Sequence, residues 1–147
     1  MSASLLPTGG MGWEEFEDFL DALLVRLRLV PGVASRLVDS SRYGRQGQKQ
    51  DGIDHCGSYD DGTTSTWQCK EQLKLTEAGV QEIIENTGVA ADKHVIVFSR
   101  VADGKARREV TKRVGWSIWD GRDLGNLVRL PGCPCAAQGR RRLRRRR

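Results

Sequence analysis

Gln68, Cys69 and Lys70, with the stretch Asp51-Gly52-Ile53-Asp54 just upstream, are the residues whose types and order could do chemistry. Side chains at i and i+2 of a β-strand share a face. A strand over 64–71 would therefore point Gln68 and Lys70 one way and Trp67 and Cys69 the other. Asp54, if held beside them, adds a carboxylate to an amide oxygen and an ammonium on one patch. That is a minimal set for metal-assisted cleavage of a phosphodiester. Carboxylate and amide oxygens suit a hard divalent cation, which activates water, while a lysine steadies charge developing on the phosphate.

The elements that must position these groups can be read along the chain. Trp13, Phe16, Leu20, Leu23, Leu24 and Leu27 recur at helical spacing and predict an amphipathic helix over 13–29, stopped by Val30-Pro31-Gly32. Glu17 lies closest to the edge of its apolar stripe. An acid there either serves as a solvated flank or is aimed into a cleft, and periodicity alone leaves both open. Residues 36–42 read as a weak strand, followed by a loop of amides and cations (Arg45, Gln46, Gln48, Lys49). Strands near 52–57 and over 64–71 flank the turn Asp60-Asp61-Gly62 and should pair as a hairpin, which brings Asp54 close to Gln68 and Lys70. Asp51 is a rival acid, but it falls in the turn, whereas Asp54 follows Ile53 inside the strand.

Thr76 is a good N-cap for a helix over 77–87, with Leu75 and Val80 placed as a hydrophobic staple and Gly88 as its stop. His94-Val95-Ile96-Val97-Phe98 is the continuous apolar run of a strand covered on both faces. Asp103-Gly104-Lys105 reads as a polar turn before a basic stretch with Arg107 and Arg108. Trp116–Trp119 reads as the last strand and 121–130 as a closing helix with Leu124, Leu127 and Val128 inward. The expected order is α-β-β-β-α-β-β-α. It makes an α/β fold with a mixed, twisted β-sheet flanked by helices on both faces.

At 147 residues the chain suits one domain with a real core, over 13–130, between disordered segments at 1–12 and 131–147. The charge balance belongs to its end. Of the 24 Lys and Arg, seven are arginines within 140–147, which leaves 17 against 19 acids in residues 1–130, a formal −2. The Arg-rich tail is either an arm attracting phosphate or an appended terminus without a role. The chain has no apolar run long enough to span a bilayer and its start lacks a secretory signal, so a cytoplasmic protein is expected. Cys56 and Cys69 with His55 could be imagined as a zinc site, but reduced thiols, Cys69 in the core, are the expectation. Cys133 and Cys135 have the wrong spacing for a zinc knuckle.

Taken in order, Trp13-Glu-Glu-Phe-Glu-Asp-Phe-Leu, Tyr43-Gly-Arg-Gln-Gly-Gln-Lys-Gln-Asp-Gly-Ile-Asp54, Trp67-Gln-Cys-Lys70, Leu75-Thr76 and Trp116-Ser-Ile-Trp-Asp120 resemble the PD-(D/E)xK nuclease superfamily. This is the restriction-endonuclease-like fold. The resemblance is to its Mrr-like branch and to the effector nuclease domains that open multidomain bacterial anti-phage proteins. It implies that Asp54, Glu17 and Gln68 bind metal, Gln68 standing where many members carry an acid, and that Lys70 is the catalytic lysine. The Cys69 carbonyl would be a further oxygen ligand. The implied activity is a Mg²⁺-dependent endonuclease of double-stranded DNA, Mn²⁺ substituting, with Arg45, Gln46, Gln48, Lys49 and Lys74 tracking the backbone. Glutamine brings no charge, which implies metal affinity in the millimolar range. The alternative is a nuclease-fold binding or scaffold domain without activity. Related domains precede an NTPase or sensor module, so a homo-oligomer or a fragment of a larger defence protein is also implied.

Overall fold

Val95-Ile96-Val97-Phe98 has no polar side to turn to water, and the chain folds so that all four residues are buried. The computed structural model describes residues 7–28, 36–43 and 52–129. Along these run α1 (Trp13–Leu27), β1 (Leu37–Arg42), β2 (His55–Tyr59), β3 (Thr64–Lys70), α2 (Glu77–Asn86), β4 (Lys93–Phe98), α3 (Gly104–Thr111), β5 (Trp116–Trp119) and α4 (Gly121–Val128). The five strands form one mixed sheet in the order β1-β2-β3-β4-β5. The first three are antiparallel neighbours, and β3, β4 and β5 run parallel.

Alternation along the central strands sends side chains into two separate cores. Trp67, Val95 and Val97 join Phe16, Leu20, Leu23 and Leu24 of α1, Leu37 and Leu124 on one face. Ile96, Phe98 and Ile118 join Leu75, Val80 and Ile83 of α2 and Ala102, Ala106 and Val110 on the other. The result is three layers, with α1 and α4 against one side of the sheet and α2 and α3 against the other. Each fully buried Leu or Phe in these cores contributes about 2 kcal/mol.

Local chemistry fixes the helix starts. The Thr76 hydroxyl accepts from the Gly79 amide at 3.0 Å, and Leu75 and Val80 are buried in one cluster, as a staple requires. Asp120 caps α4 through a reciprocal capping box with Asp123. Gly62 closes the β2–β3 turn with φ +85°, a left-handed conformation that suits glycine.

Three boundaries differ from the sequence expectation. Asp103-Gly104-Lys105 is not a turn: Asp103 accepts from the Ala106 amide at 2.8 Å and starts α3, which makes β4-α3-β5 a parallel crossover. The order is thus α-β-β-β-α-β-α-β-α, with one more helix than expected. Second, β2 begins at His55, so Asp54 precedes the strand instead of lying inside it. Third, folded structure starts ahead of residue 13. A 3-10 turn spans Pro7–Gly10, Thr8 donates to the Ser99 carbonyl at 2.6 Å, and Arg100 donates to the Gly9 carbonyl at 2.9 Å. The 44–50 loop with Arg45, Gln46, Gln48 and Lys49, the rival Asp51, and the 131–147 tail lie outside the described residues. Among the described residues no helix is long and apolar enough to cross a membrane.

Candidate active site

In the β2–β3 ladder His55 pairs with Trp67, and an unbroken register would set Asp54 opposite Gln68 on one face. The ladder breaks there. The Asp54 amide donates instead to the Trp67 carbonyl, at 2.9 Å, and Asp54 lies outside β2, free of the strand alternation. Its carboxylate accepts from the Cys69 amide at 2.7 Å, and its carbonyl accepts from the Tyr43 amide at 2.8 Å.

Glu17 meets Asp54 from α1. Its helix is anchored by Phe16 and Leu20, both fully buried, which leaves the intervening Glu17 half-buried at the rim of the layer. Burial, the hydrogen bond to Asp54 and the Asp54 charge push the Glu17 carboxyl up from 4.5 to about 7, while Arg42 pulls the other way. Arg42, at the end of β1, pairs with Asp18 on α1. Two carboxylates from distant parts of the chain thus share one hydrogen bond, with the Arg42 cation nearby.

Gln68 and Lys70 are together on the other face of β3. They line a cleft of about 280 Å³ with Gly52, Gln72 and the α2 residues Gly79, Glu82, Ile83 and Asn86. The buried Gln68 amide donates to the Thr87 hydroxyl at 2.5 Å, and Thr87 in turn donates to the Ile83 carbonyl at 2.7 Å. Gly52 has φ +81°, and a Cβ there would come within 3.0 Å of the Asn86 carbonyl, so this wall of the cleft needs glycine.

The four expected side chains therefore form two pairs, not one cluster. Glu17 and Asp54 meet on the α1 side; Gln68 and Lys70 meet on the α2 side. The pairs adjoin at Cys69. Burial raises the Cys69 thiol well above its ordinary value, Asp54 and Glu17 raise it further, and Lys70 and Arg42 oppose them, so all four charges act at this residue. Residues of a strand send N–H and C=O to the same side. The Cys69 amide points to Asp54, and the β2–β3 register stops at Trp67, so the Cys69 carbonyl faces the acids and not a partner strand.

Two carboxylates and a carbonyl are the oxygen donors that Mg²⁺ or Mn²⁺ prefers, and Glu17, Asp54 and Cys69 fit such an ion. Among the described residues, no three His, Cys, Asp or Glu side chains gather as metal ligands. The imagined zinc set of His55, Cys56 and Cys69 does not assemble. His55 is buried towards Asp21, with Nε2 3.5 Å from its carboxylate, and Cys56 has its sulfur 3.8 Å from the Ser41 hydroxyl. Lys74 is exposed beyond the end of β3.

Arg42 and Thr87 shape the site, yet nothing in their local sequence patterns marks them, and Gly52 is marked only as a neighbour of Asp54. Each acts through a long-range contact that only the β1–β2–β3 and β3–α2 packing creates. Compared with known proteins, the chain matches no protein-family model, no curated protein and no solved structure.

Proposed function

We propose that this chain is a divalent-metal-dependent endonuclease that hydrolyses phosphodiester bonds of double-stranded DNA, in a restriction-endonuclease-like domain. The observation that supports it most is the contact between Glu17 and Asp54 beside the Cys69 peptide. Two acids held together, one with its carboxyl raised, are groups that a divalent cation would stabilise in their charged forms. Glu17, Asp54 and the Cys69 carbonyl would hold Mg²⁺, with Mn²⁺ substituting. When bound, the ion would supply an activated water and neutralise charge on the phosphate. Lys70, partly exposed at the end of β3, is assigned to meet the scissile phosphate as negative charge develops on it. Gln68, held by Thr87, lines the cleft through which the strand approaches. An anti-phage effector role rests on the sequence resemblance alone.

The test is plasmid digestion across Mg²⁺, Mn²⁺ and chelator with wild type and Lys70→Ala. Nicking or linearisation that needs metal and falls about 100-fold in the variant is expected. Lys70→Ala cutting as fast as wild type would sink the assignment.

A second reading is a nuclease-fold domain that binds nucleic acid without cleaving it. The separation of Gln68 and Lys70 from the carboxylates across β3 favours it. Absence of cleavage with every metal, together with loss of DNA binding on removal of residues 131–147, is its expected signature.

A further inference from the structure

A second concavity lies past the end of β3. Lys74, Lys105 and Arg108 line an open groove of about 460 Å³ with Thr76, Glu77, Asp103 and Gly104, where the starts of α2 and α3 approach one another. All three cations are exposed. Neither Lys74 nor Lys105 has an ion-pair partner among the described residues, and Arg108 is held only by a hydrogen bond from Nε to the Gly104 carbonyl at 3.1 Å. The helix starts themselves are capped. Each cap answers one amide, Thr76 accepting from Gly79 and Asp103 from Ala106, and three side-chain cations outnumber the two acids, Glu77 and Asp103, that line the groove with them.

The neighbouring cations Arg107, within α3, and Lys112, at its C-cap, are committed elsewhere. Arg107 binds Asp120 and Asp123 at 2.9 and 3.0 Å, and Lys112 binds Glu109 at 3.2 Å. Only the groove side of α3 thus presents its charge outward at its start. The groove follows the cleft along the chain, with no lining residue in common. Lys70 and Gln72 line the cleft and Lys74 lines the groove, with the Gln72 amide donating to the Lys74 carbonyl at 2.9 Å to hold the connecting segment. Four residues of extended chain reach at most about 14 Å. That is the axial rise of about four nucleotides of one strand.

We infer that Lys74, Lys105 and Arg108 form a phosphate-backbone track that follows the Lys70 cleft along the chain and holds duplex DNA without reading its sequence. The inference rests on the endonuclease reading for its ligand but not for its test. Lysines and an arginine on an open groove neutralise phosphates and release counterions, which makes affinity fall with salt in proportion to the phosphates engaged.

The experiment measures binding of a fluorescent random-sequence duplex to the full chain in chelator, at several salt concentrations. Wild type is compared with the triple variant Lys74→Ser, Lys105→Ser, Arg108→Ser and with the control Arg36→Ser, Arg122→Ser. Each variant is first checked for wild-type thermal unfolding, and Lys74→Ser alone replaces any triple variant that does not fold. At about 0.9 in log–log slope per phosphate contact, the triple variant should flatten the salt dependence by about 2.7, and the single variant by about 0.9. The control should leave the slope unchanged. An unchanged slope in the folded triple variant, or an equal flattening in the control, overturns the track. Cleavage is scored separately on plasmid with Mg²⁺. A flattened slope with no cleavage in wild type keeps the track and removes the enzyme, while cleavage with an unchanged slope does the reverse.

Discussion

Replacing Glu17 by Gln isolates the acid pair from everything else in the site. The folded carboxyl value, raised from 4.5 to about 7, lies above the ordinary one. The fold therefore favours the protonated pair, and that contribution is complete below pH 4.5 and lost as the pH climbs through about 7. Above that point the folded domain holds two facing carboxylates. At about 1.4 kcal/mol per pH unit the full displacement would bound the effect near 3 kcal/mol. Glu17 is only half-buried, and solvent screening reduces this to about 1 kcal/mol. Urea unfolding in chelator at pH 4.5 and pH 8.5 reads it directly. Glu17→Gln should match wild type at the lower pH and exceed it by about 1 kcal/mol at the higher. Millimolar Mg²⁺ at pH 8.5 should then stabilise wild type more than the variant, because an ion held by the pair binds only the folded state. A difference between the two proteins that is the same at both pH values refutes the electrostatic origin of the raised carboxyl.

Two further outcomes test the frame around the site. Gly52→Ala places a Cβ 3.0 Å from the Asn86 carbonyl in a left-handed conformation, and should lower the urea-unfolding free energy by about 1–2 kcal/mol. Asp120→Ala should lower it by about 3 kcal/mol, since the buried carboxylate accepts from the Ala102, Arg122 and Asp123 amides and pairs with Arg107. Burial alone would raise the Asp120 carboxyl, but those amides and Arg107 outweigh it and hold it below 3.8. Its contribution is thus present above pH 3.8 and lost as the pH falls further, so the wild-type advantage over Asp120→Ala should shrink in strong acid.

The sequence made some elements legible because one physical signal dominated each. The apolar stripe of α1 from Phe16 onward, the cap and staple of α2, and the two-faced apolar run of β4 stand where periodicity and capping put them, whereas Trp13, expected in the stripe, is exposed at the helix start. Helix α3 was masked by its own start. Gly104 follows Asp103 at its first position and mimics a turn, and its apolar buried face rests on Ala106 and Val110, four apart, with Glu109 buried beside them. The site was readable in its parts and not in its arrangement. Strand periodicity correctly put Gln68 with Lys70, and the rim position of Glu17 allowed the cleft. That the β2–β3 ladder ends at His55 carries no signal in a single sequence, yet it frees Asp54 from the strand alternation and lets its carboxylate meet the Cys69 amide.

Strand β4 has a neighbour on each edge and a helical layer over each face. Its amides can meet solvent only when both layers and both neighbouring strands let go at once. Its exchange with water is consequently tied to global opening of the whole domain, whereas β1, paired along one edge only among the described residues, can open alone.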